Sequence, residues 1–413
     1  MPSSRPGPWL RLTALTAAGA CCAAVVSGAL SLDAAHRVLA AVALPPLAAL
    51  VAAGWVAHRR LLGPAIVALL AFLAAALVIS TPAHLALAGV SLASALVFVV
   101  QTFRGEPVGR ATWRDYVTLT KPRIMSLLLL TGAAGMFVGA QGVPPLDTFV
   151  VTMAGLALAC GGSSALNHVL DRDLDRLMRR TGHRPVAEDR VTPERALEFG
   201  LTLMAFSFVL LASLVNVLTA ALALVGGLFY VLVYTRWLKR STPQNIVIGG
   251  AAGAFPPLVG WAAVTGRLDL AALYLFAIIF YWTPPHFWAL ALIKRAEYAR
   301  AGIPMLPVVR GEQRTKFEML VYTLMLLPLT LMPVLFGAFG GLYAVCAVVL
   351  GAPLLWYCIR LLRVPGVTPT AWKLYRYSLL YLALLFLAMA VDRNYAPPGA
   401  AATMPIRWHL MVR

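Results

Sequence analysis

Runs of about twenty apolar residues recur thirteen times along this 413-residue chain, and very few folds can hold them. They lie near residues 12–31, 36–57, 63–81, 84–103, 123–141, 147–166, 196–214, 217–235, 245–264, 270–290, 317–337, 341–361 and 375–391. A run of that length crosses the hydrocarbon core as a helix, which satisfies its own backbone polar groups where no water can. A composition of 61% hydrophobic and 12% charged residues, with a mean hydropathy of +0.81, excludes a water-soluble domain. The expected fold is an all-α polytopic membrane protein.

The net charge of +18 invites a nucleic-acid reading, but its distribution argues against one. Lys and Arg gather in short connections between apolar runs, where the positive-inside rule puts them. Arg5 and Arg11, Arg59 and Arg60, Arg104 to Arg123, the 172–195 loop, Arg236 to Arg240, Lys294 to Lys316 and Arg360 to Arg376 fall in alternate connections. A thirteen-span path with the N-terminus in the cytoplasm and the C-terminus outside places every basic loop on the cytoplasmic face. The expected location is a bacterial inner membrane. Cys21, Cys22, Cys160, Cys346 and Cys358 all lie within apolar runs, so they read as small buried residues rather than a disulfide framework.

Against this apolar background stands Asn167-His168-Val169-Leu170-Asp171-Arg172-Asp173-Leu174-Asp175-Arg176. The chain has only 16 acidic residues, and three fall within five positions at a span's end. Ionisable groups at a membrane boundary are expensive and mark function. At about 100° per residue, Asn167, Asp171 and Asp175 share one helical face, whereas Asp173 points about 200° from Asp171 and is expected to act only indirectly. Three oxygen donors on one face suit Mg²⁺, which commonly arrives with phosphates. A solvated loop would also be charged, but it would have no reason to keep this register. Arg172, Arg176, Arg179, Arg180 and Arg184 surround the acids, and fixed cations hold phosphate oxygens that a metal leaves uncovered.

Two further segments carry chemistry. Lys121-Pro122-Arg123 opens a span with cations that oppose the helix dipole, a conflict removed by an anion bound at that N-terminus. Tyr281-Trp282-Thr283-Pro284-Pro285-His286-Phe287-Trp288 places two prolines inside a span, where they are expected to break the hydrogen-bond ladder. His286 beside them, flanked by aromatic residues, suits contact with a flat aromatic ligand. Beyond it, Glu297 is expected as a further metal ligand opposite Asp171 and Asp175, with Lys294 and Tyr298 assisting at the diphosphate. Gly249, Gly250 and Gly253 permit close helix approach.

Leu119-Thr120-Lys121-Pro122-Arg123, Asn167-xxx-Asp171-Arg172-Asp173-x-Asp175, Arg179-Arg180-Thr181-xx-Arg184-Pro185, Tyr234-Thr235, and Pro285-His286-Phe287-Trp288 through Ile303-Pro304-xx-Pro307-Val308-Val309 occur in this order. On these motifs, residues 113–391 resemble the UbiA superfamily of intramembrane prenyltransferases, and within it the heme O synthases. The resemblance implies a nine-helix bundle preceded by about four extra helices. It also implies transfer of the farnesyl group of farnesyl diphosphate to a vinyl group of heme b. It assigns Asn167, Asp171, Asp175 and Glu297 to Mg²⁺. Lys121, Arg123, Arg172, Arg179 and Arg184 would bind the diphosphate, Lys294 and Tyr298 would assist catalysis, and His286 would contact heme. Glu297 departs from the superfamily's second aspartate pair, which leaves the second metal open. The domain expectation is an N-terminal module at 1–104, a polar cytoplasmic linker at 105–120, the prenyltransferase domain at 121–393 and an external tail at 394–413.

In the N-terminal module, His36 and His84 begin spans at matching depth and suit the two axial ligands of one heme. Asp33-Ala34-Ala35-His36-Arg37 and Pro82-Ala83-His84-Leu85 resemble half of a heme A synthase, without that family's other histidines. A heme A synthase or an oxidase assembly factor is accordingly an expected partner. Two other readings stay open: a prenyltransferase acting on a quinone precursor or chlorophyllide, and an ion-coupled transporter. The latter predicts carboxylates near the midplane and inverted repeats, whereas here the acids sit at one boundary.

Overall fold

A computed structural model describes residues 8–29, 33–56, 59–77, 81–103, 111–366 and 369–395. Among them every regular element is helical, and each predicted span coincides with a long helix. Among the described residues nine helices are long and apolar enough to cross a membrane: Pro122–Ala140, Leu146–Leu170, Pro193–Leu214, Val217–Ser241, Asn245–Thr265, Leu270–Ile293, Gly311–Leu335, Gly341–Arg363 and Pro369–Arg393. Four precede them, Pro8–Ala29, Asp33–Val56, Arg59–Leu77 and Thr81–Phe103, with shorter described apolar stretches such as Val38–Ala53. Large apolar side chains including Val42, Leu70, Val150, Leu232, Leu324 and Val349 are exposed on these helices, as lipid contact requires. The chain is a multi-pass membrane protein.

Two compact units divide it. The first comprises residues 1–125 and 150–231. Its four leading helices pack through Ala14, Ala17, Ala43, Leu47, Leu50, Ala65, Ala68, Ala95 and Phe98, and Val209 of the Pro193–Leu214 helix joins the same core. Alanine at these contacts lets backbones approach where lipid supplies no hydrophobic drive. Part of the expected linker is folded: Trp113–Leu119 is a short helix. Asp115 receives both the backbone N–H of Thr112 (2.9 Å) and its hydroxyl (2.8 Å). The Val217–Ser241 span winds as a π-helix from Phe229 to Leu238, a rare form concentrated at functional sites.

The second unit comprises residues 126–149 and 232–413. Within it, the Pro122–Ala140 and Asn245–Thr265 helices approach backbone to backbone. A Cβ on Gly260 would strike the carbonyl of Gly132, and one on Gly135 the carbonyl of Pro257. Gly249 and Gly250 likewise lie against Tyr234 and Thr283, but Gly253 faces open space and serves no close approach. The Gly341–Arg363 helix is capped at both ends by buried charges on other helices. Asp392 accepts from Gly340 N (2.6 Å) and Tyr343 N (3.1 Å) at its start. Lys316 donates to the carbonyls of Val364 (2.9 Å) and Gly366 (2.8 Å) at its end. An anion at the N-terminus and a cation at the C-terminus both match the helix dipole.

The expected break at Pro284 and Pro285 does not occur, because the Leu270–Ile293 helix runs through both. A proline ring is compatible with helical φ, so the helix can continue without the two N–H donors that Pro284 and Pro285 lack. One turn earlier, the Thr283 hydroxyl donates to the carbonyl of Ile279 (2.7 Å).

Candidate active site

In the first unit the Asn167 register survives the end of its helix. Asp171 N donates to Asn167 O (2.9 Å) and Asp175 N to Asp171 O (2.7 Å), so the three side chains stay stacked on one face. All three are buried, at 3%, 1% and 2% exposure. Lys121 donates to Asn167 Oδ1 (2.6 Å), whose amide nitrogen donates to Asp171 Oδ2 (2.7 Å). One guanidinium nitrogen of Arg184 bridges both oxygens of Asp175 (2.9 and 2.8 Å). Two buried carboxylates are thus matched by two cations.

Lys121 reaches this place at a conformational cost. Its φ of 51° is in the left-handed region, uncommon for a residue with a Cβ. Left-handed backbone at a non-glycine residue costs of order 1–3 kcal/mol and persists only where the surroundings enforce it. Here Pro122 opens the next helix, and Ser164 donates to the carbonyl of Leu119 (2.7 Å), tying the preceding turn to the Leu146–Leu170 helix. The Lys121 ammonium lies 6.0 Å from the ring centroid of Tyr230, which belongs to the π-helical segment.

The other predicted cations are arranged differently. Arg172 and Arg176 both pair with Asp189, itself left-handed at φ 60°. Arg123, Arg179 and Asp173 are exposed. Arg190 pairs with Asp115 (2.9 Å) and Glu188, fastening the Trp113–Leu119 helix to the acidic loop. Burial raises the Asp115 carboxyl, but the Thr112 backbone, the Thr112 hydroxyl and the Arg190 guanidinium outweigh it and hold the group below the usual carboxylate range. Neither Asp115 nor Tyr230 was visible as a site residue in the sequence. A lone aspartate in a linker and a tyrosine in an apolar run carry no distinguishing signal.

Among the described residues no three His, Cys, Asp or Glu side chains cluster as a metal site. The relevant donor set instead contains an amide: Asn167 with Asp171 and Asp175 is all-oxygen, fits Mg²⁺, and leaves room for phosphate oxygens. Its charge argues the same way. Asp175 is paired with Arg184, and the Lys121 ammonium reaches Asp171 through the Asn167 amide. The acids thus already have cations beside them, and a polyanion gains little here unless a divalent cation enters with it.

In the second unit, Lys294 pairs with Glu297 (2.8 Å) at the end of the Leu270–Ile293 helix, and Tyr298 is buried beside them in sequence. His286 is 4% exposed, its ring stacked on Trp282 and on Tyr375, with Nδ1 2.7 Å from Ser378 Oγ. His84, in the first unit, places Nδ1 2.6 Å from the carbonyl of Ala75. The side chain of His36 lies outside the described residues, as do residues 105–110 of the expected linker and 396–413 of the expected tail.

A family model described as the UbiA prenyltransferase family matches residues 128–381. A protoheme IX farnesyltransferase of Symbiobacterium thermophilum is 57% identical over 280 residues, covering 68% of this chain and 94% of that protein. Proteins of the same name from Roseiflexus sp. and Thermus thermophilus are each 53% identical, and the chain spans about half of each, 52% and 47%. Among solved structures, a digeranylgeranylglyceryl phosphate synthase matches with a TM-score of 0.59 at 17% identity, over 68% of this chain and 99% of that one. A UbiA homolog from Archaeoglobus fulgidus bound to GPP and Mg²⁺ matches with a TM-score of 0.50 at 18% identity, over 67% of this chain and 99% of that one. These likenesses place the fold.

Proposed function

This chain belongs to the UbiA prenyltransferase family, and from that premise we propose that it transfers the farnesyl group of farnesyl diphosphate to a vinyl group of heme b, giving heme O for terminal oxidases. The observation that carries this reading is the buried Lys121–Asn167–Asp171 chain beside Asp175–Arg184, in a protein 57% identical to a protoheme IX farnesyltransferase.

Asn167, Asp171 and Asp175 would hold Mg²⁺, and Glu297 is the acidic candidate of the second unit. When bound, the metal supplies Lewis-acid stabilisation to a departing diphosphate. Lys121, Arg123, Arg179 and Arg184 bind the remaining phosphate oxygens, and Lys294 and Tyr298 assist. These cations act where negative charge grows as the allylic C–O bond breaks, which is where a fixed charge lowers a barrier. Arg172 serves the diphosphate through Asp189, by holding the loop that carries the other arginines. The farnesyl cation is captured by a vinyl carbon of the porphyrin. Water then adds to the adjoining carbon and loses a proton, leaving a hydroxyethylfarnesyl substituent. Apolar surroundings delay water until that point. His286 contacts the heme.

The functional domain is residues 121–393, preceded by the N-terminal module and the 105–120 linker and followed by the 394–413 tail. The positive-inside distribution supports an active site on the cytoplasmic face of a bacterial inner membrane. His36 and His84 would ligate one heme in the N-terminal module. Unchanged reduced-minus-oxidised spectra in His36→Ala and His84→Ala variants would remove that assignment. Direct hand-over to a heme A synthase or an assembly factor follows from the product's chemistry.

The decisive measurement is heme extraction and mass analysis from membranes of cells expressing wild type and Asp171→Ala. Wild type accumulates the farnesylated heme and the variant does not. Wild-type membranes without that product would overturn the proposal.

A further inference from the structure

Within the second unit, Ser378 makes contacts that leave His286 in a single protonation arrangement. His286 and Trp282 lie one turn apart on the Leu270–Ile293 helix, and Ser378 and Tyr375 lie on the Pro369–Tyr395 helix. The imidazole is stacked between the rings of Trp282 (4.4 Å, 16°) and Tyr375 (4.7 Å, 21°), and Phe287 meets it edge-on (5.0 Å, 86°). Ser378 is wholly buried and fastens both members of the turn. Its carbonyl accepts from Trp282 Nε1 (2.8 Å), and its hydroxyl meets His286 Nδ1 (2.7 Å).

The proton count decides the tautomer. The Ser378 hydroxyl has one hydrogen and donates it to the carbonyl of Tyr375 (2.9 Å). A carbonyl has no hydrogen to give back, so the hydroxyl must accept from His286, and Nδ1 carries the imidazole proton. The opposite assignment would set two lone pairs against each other at the Tyr375 contact. Nε2 is therefore unprotonated, and the hydrogen bond of the ring is the one at Nδ1. With both ring faces covered by aromatic neighbours, the ring is reached at its edge. A neutral histidine, fixed in orientation and donating its other N–H, is the arrangement metal-ligating histidines use.

We propose that His286 Nε2 is the axial ligand of the substrate's iron, and that Ser378 is a positioning residue that keeps that nitrogen unprotonated. This rests on the proposed heme substrate and goes beyond it, because it assigns how the porphyrin is held. A single Fe–N bond sets the depth of the macrocycle but leaves it free to turn about the bond, so the choice between the two vinyl groups must come from other contacts.

The test uses the full chain in detergent, carrying His36→Ala and His84→Ala in every sample so that the proposed N-terminal heme does not contribute (wild type below meaning His286 and Ser378 intact). It is titrated separately with ferric protoheme and with metal-free protoporphyrin IX, and read by electronic absorption and electron paramagnetic resonance. Wild type should give a histidine-ligated ferric spectrum. His286→Ala should lose that spectrum and bind ferric protoheme at least about tenfold more weakly, with protoporphyrin affinity unchanged. Ser378→Ala keeps the carbonyl bond to Trp282 but removes the acceptor. It should weaken ferric protoheme alone by about tenfold, with Ser378→Thr restoring it. Retained protoporphyrin binding shows that each variant is folded. An unaltered iron spectrum in His286→Ala would overturn the ligation, and an unaltered iron affinity in Ser378→Ala the positioning role. Farnesyl transfer measured on the same wild-type samples keeps these outcomes separate. Wild type that makes product without histidine ligation refutes only this inference, and wild type that makes none refutes the activity.

Discussion

Lys121 holds a strained backbone so that its ammonium can reach Asn167, and the two requirements can be separated by substitution. Lys121→Gly removes the ammonium but also the left-handed penalty, so it should leave the protein roughly 1 kcal/mol more stable than Lys121→Ala does, while reducing farnesyl transfer by about 100-fold or more. Lys121→Ala should lose the same activity without the gain. Thermal unfolding in detergent beside product formation would distinguish them. Arg184→Met leaves the Asp175 carboxylate buried without its partner and should cost about 3–5 kcal/mol, where Arg184→Lys should lose less stability but still impair diphosphate binding. Asp115 gives a pH signature. Its carboxyl is lower in the fold than in the unfolded chain, so its contribution is complete above the ordinary aspartate range and lost as pH falls through the folded value. The stability gap between wild type and Asp115→Asn should therefore be widest near neutrality and close progressively from about pH 4 downward. A gap that widened in acid would refute that sign. The Asn167 register was legible because a helical period and a charge contrast are both local to the sequence. Ser378 was not, because its meaning depends on a histidine brought to it from another helix.

At the scale of elements, the double capping of the Gly341–Arg363 helix is the most exposed to test. Lys316→Met would leave the Val364 and Gly366 carbonyls without their donor, and Asp392→Asn would weaken the acceptor at the other end. Each should cost about 1–3 kcal/mol in thermal unfolding, and because they act on opposite ends of one helix the double variant should lose about the sum. Gly260→Val should be worse than either, since its side chain would meet the Gly132 backbone rather than a side chain able to move. Thirteen helices could be placed from apolar length alone, because the bilayer fixes how long each must be. The caps could not, since Lys316 and Asp392 resemble ordinary boundary charges until their partners are seen. The prolines at 284 and 285 mislead for a related reason: the sequence shows the lost donors but not the tolerance of the surrounding helix.

For the whole molecule, the Symbiobacterium relative is matched over 94% of its length by 280 residues, so a protein of that name does without most of what this chain adds. Removing residues 1–104 should accordingly leave measurable farnesyl transfer, although it uncovers Val209 and lowers the melting temperature. Loss of folding on that truncation would show instead that the first unit needs its four leading helices. The contact between Gly132 and Gly260 also governs how the protein is made. The Pro122–Ala140 helix enters the bilayer early, yet the surface it fits is not synthesised until three further long helices have followed. Until then its glycine face has only lipid beside it, where it can pair with the wrong helix or be extracted by a membrane protease. Biogenesis of the second unit thus waits on its Asn245–Thr265 helix, and a ribosome stalled before that helix should leave a chain that is inserted, unassembled and short-lived.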